Sequence, residues 1–365
     1  MLYYILYPLR EYFFIFNVFR YITFRAAAAG ITAFLITVIL APPIIKKLQD
    51  LKIGERIREK ECPGLYDLHK EKQGTPTMGG ILILLGVFIS TILWADMKNS
   101  FVLLCLMVTG WLGGVGFLDD YKKIFSVPGS SKRGLSKKTK LFCQVIAGSI
   151  VALFLYMNPK TPGTLEMPFF KDLVINMGIF YIPFVILVIT ASSNAVNLTD
   201  GLDGLAIGCV VLTAVAYTGM SYVTGHSQFA EYLGIYHLPE AAELTVFCAA
   251  IAGAGLGFLW YNSFPASIFM GDTGALALGG AIGTVAVFVK KEIILLLVGG
   301  IFVAEALSVL LQICSFRFTG RRIFKIAPLH HHFQMCGWSE PKVTVRFWII
   351  AMILVLISFV SLKLR

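Results

Sequence analysis

The sequence predicts an all-α, polytopic integral membrane fold, on three observations. Of 365 residues, 57% are hydrophobic and only 14% are charged, whereas soluble domains carry about 25% charged residues. Apolar runs of about 20 residues, enough to cross a hydrocarbon core, recur along the whole chain. The gaps between them are too short for a second folded domain, so residues 1–365 are expected to form a single transmembrane domain. In lipid every backbone polar group must be paired internally, which favours helices, and the alternating ten-residue segments of a barrel are not seen. This composition excludes a disordered chain, a nucleic-acid-binding domain and an ordinary cytosolic enzyme.

Ten spans follow in order. Residues 1–21 are aromatic, with Arg10 and Arg20 interspersed and no small-residue cleavage site after them, so they read as an interfacial lead-in. The first span, 22–45, runs into Lys46 and Lys47. Spans two and three, 76–95 and 100–118, are bounded by Asp96 and by the pair Asp119-Asp120. Span four, 139–157, follows a basic run, and span five, 174–191, ends in the polar Ser192-Ser193-Asn194. Spans six and seven, 204–224 and 244–262, flank a stretch without Lys or Arg. Span eight, 272–289, starts at Asp272 and ends at Lys290-Lys291. Span nine, 292–315, contains Gly299-Gly300, where a kink is expected, and the lone acid Glu305. Span ten is 343–362.

Basic residues set the orientation. The loops at 46–75, 119–138 and 316–342 carry most of the Lys and Arg, and with ten spans they fall on one side. The opposite loop, 225–243, has none. The basic loops are therefore cytoplasmic and both termini periplasmic, with Lys290 and Lys291 as an exception on the outer side. The net charge of +10 then points to anionic lipids and phosphorylated substrates rather than nucleic acid. Seven cysteines lack any Cys-x-x-Cys pair and suggest neither disulfides nor zinc. Paired glycines within spans indicate close helix packing. Glu305 fits an interhelical hydrogen bond as well as it fits a functional acid.

Five of the nine Asp stand at helix ends on the cytoplasmic face: Asp119, Asp120, Asp200, Asp203 and Asp272. Carboxylates gathered among cations suit a divalent metal working on a polyanion. Adjacent Asp119 and Asp120 cannot share one helix face, so one is expected to bind metal while the other acts as base or fixes a lysine. Lys123, three residues beyond Asp120, is the lysine within reach. The string from Asn194 to Gly204 contains Asn197, Asp200 and Asp203, with Gly201 and Gly204 permitting close approach of a ligand. The string from Asn262 to Gly274 contains Phe269, Gly271 and Asp272, which reads either as a helix N-cap or as a metal ligand. His330, His331 and His332 form an internal run suited to substrate contact; adjacent histidines diverge too much for a zinc site on their own. Lys70 to Gly80, with Lys72, can hold phosphate but is not a P-loop.

Together these five strings resemble the polyprenyl-phosphate N-acetylhexosamine-1-phosphate transferase superfamily, over nearly the whole chain. The Pro328-Leu329-His330-His331-His332-Phe333 string is similar to that of the muramoyl-pentapeptide branch rather than the N-acetylglucosamine branch. The resemblance implies a bacterial inner-membrane transferase that uses UDP-N-acetylmuramoyl-pentapeptide and undecaprenyl phosphate, with Mg²⁺ as cofactor and UMP as product. It implies Asp272 as metal ligand, with Asp119 and Asp120 as further catalytic carboxylates. Lys72, Lys123, Asn194, Asn197, Asp200, Asp203, Asn262, Phe269, Gly271, His330 and His331 are implied as substrate-binding residues. A homodimer is compatible with the resemblance alone. A transferase of N-acetylglucosamine-1-phosphate is the nearest alternative. A transporter or flippase of a phosphorylated solute is a different one, but it would place its charges near the bilayer midplane rather than at one face.

Overall fold

The computed structural model describes residues 1–51, 72, 74–125, 134–158, 161, 163–170 and 173–363. Several residues of the two heavy basic loops (Lys52, Arg56, Arg58, Lys60, Lys70, Lys132 and Arg133) lie outside the described residues. Among the described residues, nine helices are long and apolar enough to cross a membrane, and a shorter apolar helix, Gly80–Trp94, accompanies them. In chain order the principal helices are α1 Ile22–Asp50, α2 Gly80–Trp94, α3 Ser100–Ile124, α4 Lys137–Met157 and α5 Tyr181–Thr199. They continue as α6 Leu205–Gly225, α7 Leu244–Asn262, α8 Gly271–Phe288, α9 Gly300–Thr319 and α10 Glu340–Lys363.

Three expected spans differ from their helices, each for a local reason. Residues 76–79 are not helical. Instead Phe269 N–H donates to Pro76 O, Gly79 N–H to Phe269 O and Gly80 N–H to Met270 O, each at 2.8 Å. The remaining α2 has 15 residues, about 22 Å of helix. Val174–Asn176 is not helical either: it pairs antiparallel with Thr164–Glu166 as a short hairpin, β1 with β2, so the fold is not purely α. Asn176 Oδ1 accepts from Gly178 N–H and breaks the run before α5 begins. The ninth span is interrupted at Gly299, between a turn of helix at Leu295–Val298 and α9, as the glycine pair led one to expect.

Helix α8 is the centre of the bundle. Every residue from Thr273 to Phe288 is buried, against α3 and α5 above all. Hydrocarbon offers no hydrophobic drive between helices, so close packing and hydrogen bonds must hold them. The glycines of α8 let backbones meet. A side chain at Gly279 would run into Ser192 O, and one at Gly280 into Leu112. Gly253 of α7 likewise lies against the backbone of Gly30 in α1.

At the end of the bundle opposite the carboxylates, Lys290 and Lys291 are not exposed loop charges as orientation alone implied. Both are only 2% exposed. Lys291 Nζ lies 2.5 Å from Glu166 Oε2 of β1. Lys290 Nζ sits 3.9 Å above the Tyr181 ring and 3.7 Å from Glu292 Oε1. Tyr181 donates to the same Glu292 oxygen at 2.5 Å. These lysines are structural counter-charges that tie the hairpin to the helices. Removing one partner of such a buried pair costs about 3–5 kcal/mol. Lys291→Ala and Glu166→Gln should each lower the thermal midpoint of the detergent-solubilised protein, and the double substitution should be less than additive. Unchanged midpoints would show that the hairpin is not held this way.

Candidate active site

The apolar run of α3 ends in Asp119-Asp120, and successive residues on a helix point about 100° apart. The two carboxylates accordingly do different work. Asp120, 4% exposed, faces the start of α8. Its Oδ1 accepts from Asp272 N–H at 3.1 Å, and its Oδ2 accepts from Thr273 N–H at 2.9 Å and Thr273 Oγ1–H at 2.7 Å. Helix α8 has no side-chain cap of its own, and its first-turn N–H groups would otherwise be orphaned. Asp120 is thus the N-cap of α8, supplied from α3. The reading of Asp272 as that cap is corrected, and its carboxylate is left to face its neighbours.

Those neighbours are Asp119 and two lysines. Asp119 is fully buried. Its Oδ1 accepts from Leu135 N–H at 2.6 Å, and its Oδ2 lies 2.7 Å from both Lys123 Nζ and Lys140 Nζ. Lys123 also reaches Asp272 Oδ1 at 3.0 Å, and Lys140 pairs with Asp272 Oδ2. The expected pairing of Lys123 with Asp120 is the longest of its three, at 3.8 Å. One ligand oxygen from each of Asp119, Asp120 and Asp272 can be chosen so that all lie within 4.8 Å of one another. Three carboxylates that close repel unless cations stand among them, and here two ammonium groups do so. The oxygen-only donor set suits a hard divalent ion. Both Asp120 oxygens are committed to α8 and Asp119 is engaged by Leu135 as well as by the lysines, whereas the two lysines are the partners of the Asp272 carboxylate, which makes Asp272 the better-placed ligand.

Glycine makes this convergence possible. Gly271 has φ +73°, a left-handed conformation disfavoured for other residues, and a Cβ there would stand 2.6 Å from Asp120 Oδ2. A Cβ at Gly116 would strike the backbone of Asp272, and one at Gly80 that of Gly274.

A second polar cluster adjoins the first. Lys72 Nζ lies 2.6 Å from Asp203 Oδ1 and 2.5 Å from Glu340 Oε1, and 5.8 Å from the centre of the Phe269 ring. Asp203 Oδ2 accepts from Ala266 N–H at 3.0 Å. Asn262 is buried; its Oδ1 accepts from Gly204 N–H at 3.1 Å while its Nδ2 donates to Ile268 O at 2.8 Å. The segment from Asn262 to Asp272 therefore joins both clusters.

The remaining expected site residues fall around this face. Asn194 donates to Gln144 Oε1 and to Thr190 O, both at 2.8 Å. Asn197, on the last turn of α5, and Asp200, its C-cap, are half-buried. His330 is fully buried, its ring against Gly201 and its Nδ1 3.2 Å from Glu305 Oε1. Its backbone N–H donates to the same oxygen at 3.2 Å. Glu305 thus makes the interhelical bond that was one of its two readings, and Gly201 is small because an imidazole lies on it. His331 is half-buried, with Nδ1 3.0 Å from Gln334 Oε1.

Sequence reasoning missed Lys140 and Glu340. Lys140 looked like one more charge in a basic run. Its helical phase carried the signal: it precedes the buried Gln144, Ala147 and Val151 on one face of α4. Glu340 had no such signal, because its partners come from segments far away in the chain.

A bundle of apolar helices with a carboxylate–lysine centre at one end is the make-up of a membrane-embedded transferase, and known proteins agree with that class. The family model described as glycosyl transferase family 4 matches residues 101–290. That described as phospho-N-acetylmuramoyl-pentapeptide-transferase signature 1 matches residues 72–84, the stretch that carries Lys72 and Gly80. The chain is 52% identical to the phospho-N-acetylmuramoyl-pentapeptide-transferase of Thermodesulfovibrio yellowstonii and 50% identical to that of Citrifermentans bemidjiense, over 100% of each chain. It is 51% identical to the one from Desulfatibacillum aliphaticivorans, again over 100% of both. The chain belongs to the phospho-N-acetylmuramoyl-pentapeptide-transferase family.

Two substitutions separate the roles of these groups. Asp120→Ala leaves the first turn of α8 uncapped and its amides buried without partners, a cost of about 1–3 kcal/mol. It should lower the thermal midpoint and abolish activity together. Lys140→Ala caps nothing and leaves Lys123 among the carboxylates, so it should lower the midpoint less than Asp120→Ala does while turnover falls roughly a hundredfold or more. The reverse pattern would sink the division of labour.

Proposed function

We propose that the protein transfers phospho-N-acetylmuramoyl-pentapeptide from UDP-N-acetylmuramoyl-pentapeptide to undecaprenyl phosphate, giving lipid I and UMP, the first membrane step of peptidoglycan synthesis. The observation that carries this reading is the full-length identity of about half to transferases of that name. The carboxylate–lysine centre, gathered at one end of the bundle, supports it. The whole chain acts as one transferase domain in the bacterial inner membrane, with both termini periplasmic and the carboxylates at the cytoplasmic face. There a soluble nucleotide and a lipid phosphate can meet.

The chemistry needs little beyond positioning and charge. An oxygen of the lipid phosphate attacks the phosphorus that bears the sugar. The bond from that phosphorus to the UMP oxygen breaks, and UMP leaves with the electron pair. One diphosphate replaces another, so no ATP is required. A phosphate monoester has its second pKa near about 6, so the attacking group is largely ionised without a base. Asp119, engaged by Lys123, Lys140 and Leu135 N–H, is assigned to orienting those lysines rather than to a covalent intermediate. Mg²⁺ held by Asp272, with Asp119 beside it, would neutralise charge on the diphosphate. Lys123 and Lys140 take up further negative charge as it shifts toward the leaving UMP.

Substrate recognition is assigned to the half-buried groups that border the two clusters: Lys72, Asn197, Asp200, Phe269 and His331. Asn194, Asp203, Asn262 and His330 support that surface from behind, since their polar groups are engaged within the fold, and Gly271 leaves the room in which Asp120 approaches.

Two measurements test the reading. Purified protein should release UMP from UDP-N-acetylmuramoyl-pentapeptide with undecaprenyl phosphate present, and should not do so from UDP-N-acetylglucosamine. Chelation should stop the release and Mg²⁺ restore it, while Asp272→Asn should remain folded and inactive at any Mg²⁺ concentration. Turnover of the N-acetylglucosamine nucleotide instead would overturn the substrate assignment. A stoichiometric UMP burst without lipid would overturn direct attack.

A further inference from the structure

We propose that Gln144 of α4 is a positioning residue for Asn194: it fixes the Asn194 amide so that its oxygen, and not its nitrogen, is offered to what the centre binds. The inference rests on the transferase reading and adds to it a buried amide from α4.

Gln144 and Ser193 are buried, at 1% and 0% exposure. Asn194 Nδ2 donates to Thr190 O and to Gln144 Oε1, both at 2.8 Å. Gln144 Nε2 donates to Ser193 Oγ at 3.1 Å, and Ser193 Oγ–H donates to Leu276 O at 3.0 Å. The chain of bonds begins and ends on backbone carbonyls, which can only accept. Thr190 O requires the nitrogen of Asn194 on its side, because an oxygen so close would be repelled. Gln144 must then turn its oxygen to that nitrogen and its own nitrogen to Ser193. Ser193 accepts from Gln144 and gives its O–H to Leu276 O. An amide can be flipped without changing its shape, and here the bonds leave each of the two amides a single orientation. The Asn194 nitrogen is used up within the fold. Its Oδ1 has no partner among the described residues, on a side chain that is half-buried.

The place of this chain of bonds ties it to the centre. Gln144 stands one turn beyond Lys140 on α4, and Leu276 one turn beyond Asp272 on α8. Residues four apart lie on one helix face, and Lys140 and Asp272 pair with each other. The amides and Ser193 therefore form a second bridge between the same two helices, one turn deeper than the ion pair, with Asn194 at its open end. An amide oxygen accepts from an electropositive group. Here that group is a divalent ion beside the carboxylates or an N–H or O–H of the nucleotide. An amide free to turn would also present its N–H donors, and fixing it in advance removes that cost from binding. Hydrogen bonds between helices also hold them together in lipid. Packing of that kind is indifferent to which atom of Asn194 is left over, so the two uses separate by experiment.

The test is a double-substitution cycle on the full-length protein in detergent. UMP release is followed at varied Mg²⁺ and at varied UDP-N-acetylmuramoyl-pentapeptide, and binding of each is measured by calorimetry. Gln144→Met keeps the volume and removes both hydrogen bonds. We expect either the Mg²⁺ concentration for half-maximal rate or the nucleotide KM to rise about tenfold, with the matching Kd and with the thermal midpoint held. A rise in the first identifies the ion as what the oxygen meets, and a rise in the second identifies the nucleotide. Ser193→Ala loosens only the far end of the chain of bonds and should shift the same constant by less. The pair Gln144→Met/Asn194→Ala should be no worse than Asn194→Ala alone, because Gln144 acts through Asn194. Both constants unchanged, whatever the midpoint does, or fold-changes that multiply in the pair, would overturn the proposal in favour of a merely structural Gln144. If Gln144→Met does not fold, Ser193→Ala decides by the same criterion. Wild-type protein that turns over the nucleotide while the cycle fails would sink this inference alone. Wild-type protein that releases no UMP would sink the transferase reading, and this inference with it.

Discussion

The site depends on one hydrogen-bonded contact, the carboxylate of Asp120 on the first turn of α8. Helix α8 starts at the end of the bundle where the carboxylates gather and is buried from Thr273 onward, so its leading N–H groups need partners within the protein. A cap from its own chain would have had to come from Met270 or Gly271, neither of which has a polar side chain. The cap comes from α3 instead. That choice fixes the end of α3 against the start of α8. It also puts the preceding residue, Asp119, within reach of Asp272 and of the lysines that serve both. The partial positive charge at a helix N-terminus further favours the carboxylates gathered there.

The leader from Asn262 to Asp272 carries this constraint outward. Its backbone pairs with Pro76, Gly79 and Gly80, takes a bond from Asn262 at Ile268, and gives one to Asp203 from Ala266. Irregular backbone is tolerated in such a place only if its polar groups find partners in the protein. The same bonds that satisfy it hold the Lys72 cluster beside the aspartate cluster. Shortening of α2 follows from this arrangement, since the first residues of that apolar run are spent on pairing rather than on helix.

At the far end the logic is reversed. Lys290, Lys291, Glu166 and Glu292 are placed where a sequence reading saw a stray pair of outward cations. Their burial and mutual pairing make them ties between a hairpin and the helices. Buried charge among the described residues therefore gathers at both ends of the bundle: in a carboxylate–lysine centre at one end and in an ion network that ties the hairpin to the helices at the other.

Composition and pattern by themselves determined a great deal. Runs of about 20 apolar residues read as spanning helices in this context, and their order was legible because hydrocarbon imposes that length; the expected ten met nine long helices and the shorter Gly80–Trp94 among the described residues. The five aspartates at helix ends were legible for a related reason: charge is excluded from the spans, so each acid beside one stands out. The division of labour between Asp119 and Asp120 was half legible, since adjacent residues diverge on a helix, but which carboxylate did which task was not. That was decided by where α8 begins relative to α3, a distance of 152 residues along the chain. Lys140 and Glu340 were hidden among ordinary charges until α4 and α10 were brought against their partners. Val174 to Asn176 read as helix because apolar residues are equally at home in either form, and pairing with β1 decided it. Local pattern thus specified the elements and the acids at their ends. Only the tertiary contacts, by determining which buried donor each carboxylate must satisfy, decided which acids cap a helix and which pair with lysine.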